Sequence, residues 1–403
     1  VNRFRDEFLL EPGVAFLNHG SFGATPRPVF EAYQGWQSRL ERQPVHFFQR
    51  EHDALMRESR ARLGEHLGVE ADDLVYVTNA TQGVNIIARS LKLGPGDEIL
   101  TSNHEYGACD YTWEFVCGKT GANLRRGEIP LPLPSEEEVA ERFWAGVTAR
   151  TKLIFLSHYT SPTALRLPVE AICRRAREAG ILTFIDGAHA PGQITVDLHA
   201  VGADFYTGNC HKWMLSPKGA GFLFARREVQ PLVEPLVVSW GFHPNGMPSS
   251  GSQFVDYLQW SGTRDPAAAL AVPDAIRFMA ERGWAEVRLE CHALLCNAIE
   301  RVCTLTELGP PYPLDSNRYV QMGIAPLPVS TDLVALKARL YDEYRVEVPV
   351  LEWEGHKFVR ISIQAYNDAR DVEALVRGLR ELLPVRTSRP PRTAASGVQK
   401  ARE

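Results

Sequence analysis

Between positions 74 and 225 short apolar runs alternate with stretches that carry apolar residues at helical spacing, and this alternation restricts the fold more than any other feature of the chain. The runs fall at 74–77, 98–101, 124–128, 152–157, 181–186, from Asp204 onward, and 219–225. Runs of strand length joined by helices predict an α/β layer built on a seven-stranded, mostly parallel sheet. In such sheets ligands sit beyond the carboxyl ends of the strands. Small polar and ionisable residues collect at those ends: Thr78-Asn-Ala-Thr-Gln-Gly-Val-Asn85, Asn103-His-Glu-Tyr-Gly107, His158-Tyr-Thr-Ser-Pro162, Asp186, and Gly208-Asn-Cys-His-Lys-Trp213.

The flanking sequence has a different character. Helical spacing from about residue 29 to 67, interrupted by Gln43-Pro-Val-His-Phe-Phe48, predicts two helices joined by a loop. Beyond about residue 275 the pattern gives a long helix through Val302, a strand at 319–324, a helix at 331–344, strands at 346–350 and 357–363, and a last helix at 368–383 capped by Asn367. This is an α+β second domain, as expected of a chain of 403 residues, which exceeds what one core usually holds. The expected divisions are an N-terminal segment near the cleft (1–25), a large domain (26–265), a small C-terminal domain (266–384) and a disordered tail (385–403) rich in proline, arginine and small residues.

A formal charge of -5 and a pI near 6.2 predict no nucleic-acid partner and no anionic-membrane partner. No apolar run approaches the roughly 18 residues of a membrane-spanning helix, and a cytoplasmic location is the expectation. Seven cysteines with no Cys-x-x-Cys pairing predict reduced thiols rather than a disulfide framework or a structural zinc. Cys210, beside His211, is the one expected to be modestly reactive.

Lys212 is the candidate nucleophile. Set against Trp213, Met214 and Leu215 it is partly desolvated, which lowers its pKa and frees a neutral amine to condense with a carbonyl. An isolated lysine is as a rule a solvated surface charge, so its weight comes from its neighbours. The stretch Asn79–Asn85 is either a phosphate site at a helix N-terminus or a plain cap. Tyr106 either stacks on a flat ligand or packs half-buried. With Asp186 and Lys212 these residues make up what pyridoxal 5'-phosphate needs: amide donors for the phosphate, an aromatic for the ring, a carboxylate for the ring nitrogen and an amine for the aldehyde. Zinc, nicotinamide and nucleotide readings fit less well, because no His-Glu-x-x-His, Gly-x-Gly-x-x-Gly after a first strand, or Gly-x-x-x-x-Gly-Lys-Ser/Thr is present.

Leu17-Asn-His-Gly-Ser-Phe-Gly23, Asn103-His-Glu-Tyr-Gly-Ala108, Asp186-Gly-Ala-His-Ala-Pro191, Gly208-Asn-Cys-His-Lys-Trp213, Ser239-Trp-Gly241, Gly262-Thr-Arg-Asp265 and Val359-Arg-Ile-Ser-Ile363 follow one another along the chain. In that order they resemble the class V aminotransferases of fold type I, and among them the isopenicillin N epimerase group. The resemblance implies that Lys212 forms the Schiff base and later acts as acid and base at Cα, that Asp186 pairs with the pyridinium nitrogen, and that Tyr106 stacks on the ring face opposite Lys212. It implies a phosphate held by Ala80, Thr81, Asn209 and His211, and a ring hydroxyl near His189 and Ser161. It also implies a homodimer with sites at the subunit interface, Thr263 reaching the neighbouring subunit's phosphate, and a substrate carboxylate clamped by Arg360 with Asn18 assisting.

Two departures bear on this. Ala164 stands where relatives often have glycine, so the turn there is expected to differ, and 330–359 holds no cysteine of the kind cysteine desulfurases need, which disfavours persulfide chemistry. The expected reaction on a small amino-acid substrate is epimerisation, with C–S lysis of a cysteine conjugate or sulfoxide as the main rival and transamination as another. Epimerisation needs a second acid, for which Tyr106 and His104 are the candidates. A reading of another class, a non-catalytic binding protein on the same scaffold, is opposed by the presence of Lys212, Asp186 and Arg360. Segments 43–50 and 240–252 are expected to set specificity.

Overall fold

The computed structural model describes residues 3–242, 250–314 and 317–383. Seven strands form one sheet: β1 (Leu74–Val77), β2 (Glu98–Ser102), β3 (Asn123–Gly127), β4 (Thr151–Ser157), β5 (Leu182–Gly187), β6 (Phe205–Asn209) and β7 (Gly221–Ala225). Their order is β1-β7-β6-β5-β4-β2-β3, and only β7 runs against its neighbours. Apart from the edge strand β3, whose Asn-Leu-Arg-Arg-Gly is largely exposed, the strands are mostly buried because both faces of the sheet are covered. Along β4, Leu153 and Phe155 enter one apolar cluster, while Ile154 and Leu156 enter the other. Burying a side chain such as Phe155 stabilises the fold by roughly 1.5–3 kcal/mol.

A second sheet is antiparallel, in the order β9-β10-β8, with β8 at Met322–Leu327, β9 at Val350–Trp353 and β10 at His356–Ser362. The N-terminal segment is sewn to this small domain rather than lying loose over the cleft. Ala15 and Phe16 pair in parallel with Val346 and Glu347, and the Ser362 amide donates to the Leu17 carbonyl at 2.9 Å.

Several local expectations are corrected. The joint between Arg27–Arg42 and His52–Leu67 is helical, not a loop: Pro44 opens a short turn, for which its fixed φ is suited, and Phe47–Glu51 continues as a π-turn. The strand expected at 319–324 lies at Met322–Leu327. The strand expected at 346–350 is two strands, because Val346–Glu347 pairs with the N-terminal segment and Val350–Trp353 with β10. The last helix, Ala369–Leu382, is capped by Asp368, whose carboxylate accepts from the Arg370 amide while Asp371 accepts from the Asp368 amide. The Asn367 side chain is committed elsewhere, donating to the Phe16 carbonyl and to Asp371. All seven cysteines are free thiols. Among the described residues no helix is long and apolar enough to cross a membrane. The expected tail at 385–403 lies outside the described residues.

Candidate active site

In register across the sheet, Asp186 at the end of β5 stands beside Ser157 of β4 and Thr207 of β6. After β6 ends at Asn209, the chain turns and carries Lys212 to the same edge. Desolvation is the largest influence on the Lys212 amine and outweighs the opposing charge of Asp186, so its pKa is lowered to about 8. His189 Nε2 lies 3.1 Å from Lys212 Nζ, and the Trp213 indole N–H donates to His189 Nδ1 at 3.2 Å.

The lysine turn is held from below by the N-terminal segment. A carbonyl can only accept, so His19 Nε2 donates to the Lys212 carbonyl at 3.1 Å, and His19 Nδ1 takes the Tyr366 hydroxyl at 3.0 Å. Gly23, at φ 70, comes so close that a Cβ there would lie 2.0 Å from the His211 carbonyl oxygen.

Asp186 is 4 % exposed, and burial raises its pKa. Its carboxylate accepts from the Ala188 amide at 2.9 Å and from the Cys109 thiol at 3.5 Å. A buried carboxylate with one amide and one weak thiol donor has room for a cationic N–H. Below it, Glu105 accepts from the Ser157 amide at 2.9 Å and from the Ser102 and Ser157 hydroxyls, tying the ends of β2 and β4 together next to Tyr106. Burial pushes the Glu105 carboxyl up to about 8. Tyr106 itself is 47 % exposed, and its hydroxyl is near enough to Arg360 to favour the guanidinium charge.

His104 is fully buried and unsuited to act as a second acid. Its Nδ1 is bonded to the Thr163 hydroxyl at 2.7 Å, its Nε2 to the Ile129 carbonyl at 2.8 Å, and burial lowers its pKa to about 4. Cys210 is likewise withdrawn: it is buried in the core, where desolvation raises the thiol pKa, so the expected reactivity is not supported.

At the far end, helix Ala80–Ser90 begins at the edge of β1 and points its N-terminus at the site. The Asn79 side chain caps the Gln82 amide and its carbonyl takes the Gly83 amide, so the stretch is a cap that leaves Thr81 in the first turn to face a phosphate. The Ala80 amide is taken by Asn209 Oδ1 at 2.9 Å. His211 Nδ1 donates to the Ala220 carbonyl at 3.0 Å, which leaves Nε2 for another partner. Amine, carboxylate, exposed aromatic and helix end are the groups that pyridoxal phosphate requires, and the residues present fit it.

The Arg360 guanidinium is buried, yet still charged at neutral pH, with its pKa lowered to about 10 by desolvation. Nη1 donates to the Ser161 carbonyl and hydroxyl and Nη2 to Ser21 Oγ at 3.2 Å, while the buried Nε has no partner among the described residues. Ser161 thus meets the arginine. Asn18 joins the same network, accepting from Ser21 Oγ and donating to Glu347 at 2.9 Å. A buried donor left open beside a charged fork suits a carboxylate.

Ala164 resolves the departure noted in the sequence. It adopts φ 56, the left-handed step that glycine takes readily, and the Thr160 hydroxyl and carbonyl hold the turn through the Leu165 and Ala164 amides. Thr263 is exposed and lines a cavity with Phe48, His52, Trp240 and Trp260. That cavity brings together parts of both expected specificity segments; 243–249 lie outside the described residues. Sequence reasoning missed His19, Ser21, Glu105, Cys109 and Trp213 as supports of the site. All five sit inside or beside the motifs quoted above, but nothing in the letters says which way their side chains turn.

A model of the class-V aminotransferases matches residues 23–322. Isopenicillin N epimerase of Amycolatopsis lactamdurans is 37% identical over 388 residues, covering 94% of this chain and 97% of that protein. L-cysteine desulfhydrase of Arabidopsis thaliana is 30% identical over 411 residues, covering 93% and 88%. The solved structure of the cystine C–S lyase C-DES with its product cysteine persulfide superposes with a TM-score of 0.78 at 20% identity, covering 93% of this chain and 99% of that one, a likeness of fold.

Proposed function

Because the chain belongs to the class-V aminotransferase family and is a pyridoxal-phosphate enzyme, we propose that it breaks a carbon–sulfur bond of a small cysteine-type amino acid by β-elimination. The observation that carries this is the buried Lys212 amine near Asp186, with a pKa of about 8, set against the loss of one of the two candidates for a second acid. His104 has both ring nitrogens engaged, which leaves Tyr106 alone for that part. Elimination needs one group that takes the Cα proton and returns it to the departing sulfur; epimerisation needs a second donor on the opposite side. When bound, the cofactor supplies a conjugated ring that accepts the electron pair left at Cα.

The chain's own residues do the rest. Arg360 orients the substrate through its carboxylate, with Ser21 and Asn18 fixing the fork. Asp186 keeps the ring nitrogen protonated, and Lys212 removes the Cα proton. For L-cysteine the balance is cysteine plus water giving pyruvate, ammonium and hydrogen sulfide.

Epimerisation is the second reading. The higher identity to the isopenicillin N epimerase favours it, and Tyr106, half-exposed beside Arg360, is then the second proton donor. Loaded protein in deuterated water, given L-cysteine and isopenicillin N separately, decides between them. Pyruvate and sulfide establish elimination; an epimer carrying deuterium at Cα, with no pyruvate from cysteine, overturns it.

The working unit in this reading is a homodimer. Thr263 is exposed, and Val237, Val238 and Trp240 form an exposed apolar run that a second copy would cover. A monomer by light scattering that still turned over substrate would contradict it.

A further inference from the structure

The contacts around His189 assign a role to Trp213. Indole nitrogen is a donor only, so in the 3.2 Å contact between Trp213 Nε1 and His189 Nδ1 the histidine nitrogen must accept. A neutral imidazole that accepts at Nδ1 carries its proton at Nε2. That proton points at Lys212 Nζ, 3.1 Å away. An Nε2–H can bond to the lysine only through the amine's lone pair, and an ammonium has none. We propose that Trp213 is a positioning residue that locks His189 in the Nε2–H tautomer and so favours, at Lys212, the neutral amine that condenses with an aldehyde over the ammonium.

The surroundings make the lock firm. Trp213 is fully buried, its ring lies 4.9 Å from that of His19, and Gly192 approaches its backbone so closely that a Cβ there would be 2.2 Å from the Trp213 carbonyl carbon. The backbone of His189 is fixed as well, its carbonyl accepting from Gln193 Nε2 at 2.6 Å. Asp186 favours the ammonium, Arg360 opposes it, and Cys109 is a thiol. Around His189 stand Lys212, Arg360, His19 and His211, all of which disfavour the imidazolium. In the condensation the amine nitrogen attacks the aldehyde carbon, two amine hydrogens leave with the carbonyl oxygen as water, and no other reactant is needed.

The inference is independent of whether elimination or epimerisation follows. Its test uses cofactor-free protein labelled with nitrogen-15 in histidine, the His189 signals being assigned by their loss in His189→Gln. The expected spectrum at neutral pH has Nδ1 bare and Nε2 protonated. A proton on Nδ1, or an imidazolium, overturns the proposal without any variant having to fold. In Trp213→Phe, Nδ1 is free to take the proton and Nε2 can then accept from an ammonium. The reaction of Lys212 with pyridoxal phosphate, followed by absorbance, should slow roughly tenfold at neutral pH, the weight of about one hydrogen bond. It should recover the wild-type rate at alkaline pH. A packing defect would slow it equally at every pH, and that result, or an unchanged pH midpoint, counts against the lock.

Discussion

The imidazole of His104 lies on the indole of Trp353, ring centroids 4.3 Å apart and planes 25° from parallel. A histidine at the mouth of a catalytic strand is thereby spent on joining the large domain to the small one, and Trp353 reinforces the joint by donating to the Asn103 carbonyl at 2.9 Å. His104→Asn should leave Cα hydrogen–deuterium exchange within about threefold of wild type while lowering stability by roughly 1–3 kcal/mol through the lost stacking and unsatisfied partners. NMR exchange and denaturant unfolding measure the two effects separately. Loss of exchange with stability intact would return His104 to the chemistry.

Lys212→Ala removes the one amine placed to take the Cα proton. Exchange at Cα should fall by about 10²–10⁴-fold, the usual worth of a positioned base, and the cofactor should wash out on dialysis because nothing holds it covalently. Retained exchange would mean that another group is the base.

Arg360→Lys tests the clamp. Lysine keeps the charge but loses the planar fork and the bonds to Ser161 and Ser21. The expected result is a rise in KM of roughly ten- to a hundredfold with a smaller fall in kcat, the range for a hydrogen bond to a charged group. An unchanged KM for the carboxylate substrate, set against the amide analogue, would remove Arg360 from substrate binding.

Glu105 gives a pH dependence with a definite sign. Its folded pKa, about 8, stands above the ordinary value of 4.5, because burial penalises the charge more than its hydrogen bonds relieve it. The folded protein therefore binds the proton more tightly than the unfolded chain. The stability from this group is complete below pH 4.5 and is lost as pH rises toward 8, by at most ~1.4 kcal/mol per pH unit. Glu105→Gln should flatten that part of the stability curve; a curve parallel to wild type between the two values would show that Glu105 titrates normally.

Much of this architecture is legible in the sequence, because buried parallel strands leave uninterrupted apolar runs and their polar ends stand out. Lys212 and Asp186 stand out there only in company with Asn79–Asn85 and Tyr106, since a lone lysine at a strand end reads as a surface charge. The joint at Pro44 was harder, since proline at the first position of a helical turn reads the same as proline in a loop. The split at Val346–Val350 depends on the N-terminal segment arriving as a partner strand from more than three hundred positions away, which no local pattern records. His104 illustrates the same limit: at a strand end its spacing suits catalysis, and only the position of Trp353 reveals that its ring faces another way. Ala164 shows the converse, a residue whose type argues against the left-handed step while the threonine bonds around it impose one.

Ser21 and Arg360 meet across 339 positions of the chain. During synthesis the lysine turn therefore emerges well before the strand that carries the guanidinium. Val346 and Glu347, which pair with Ala15 and Phe16, are made before β10, and β10 then completes the joint when the Ser362 amide reaches the Leu17 carbonyl and Arg360 reaches Ser21. The Ser21–Arg360 contact is thus open only to chains that have been synthesised through residue 360.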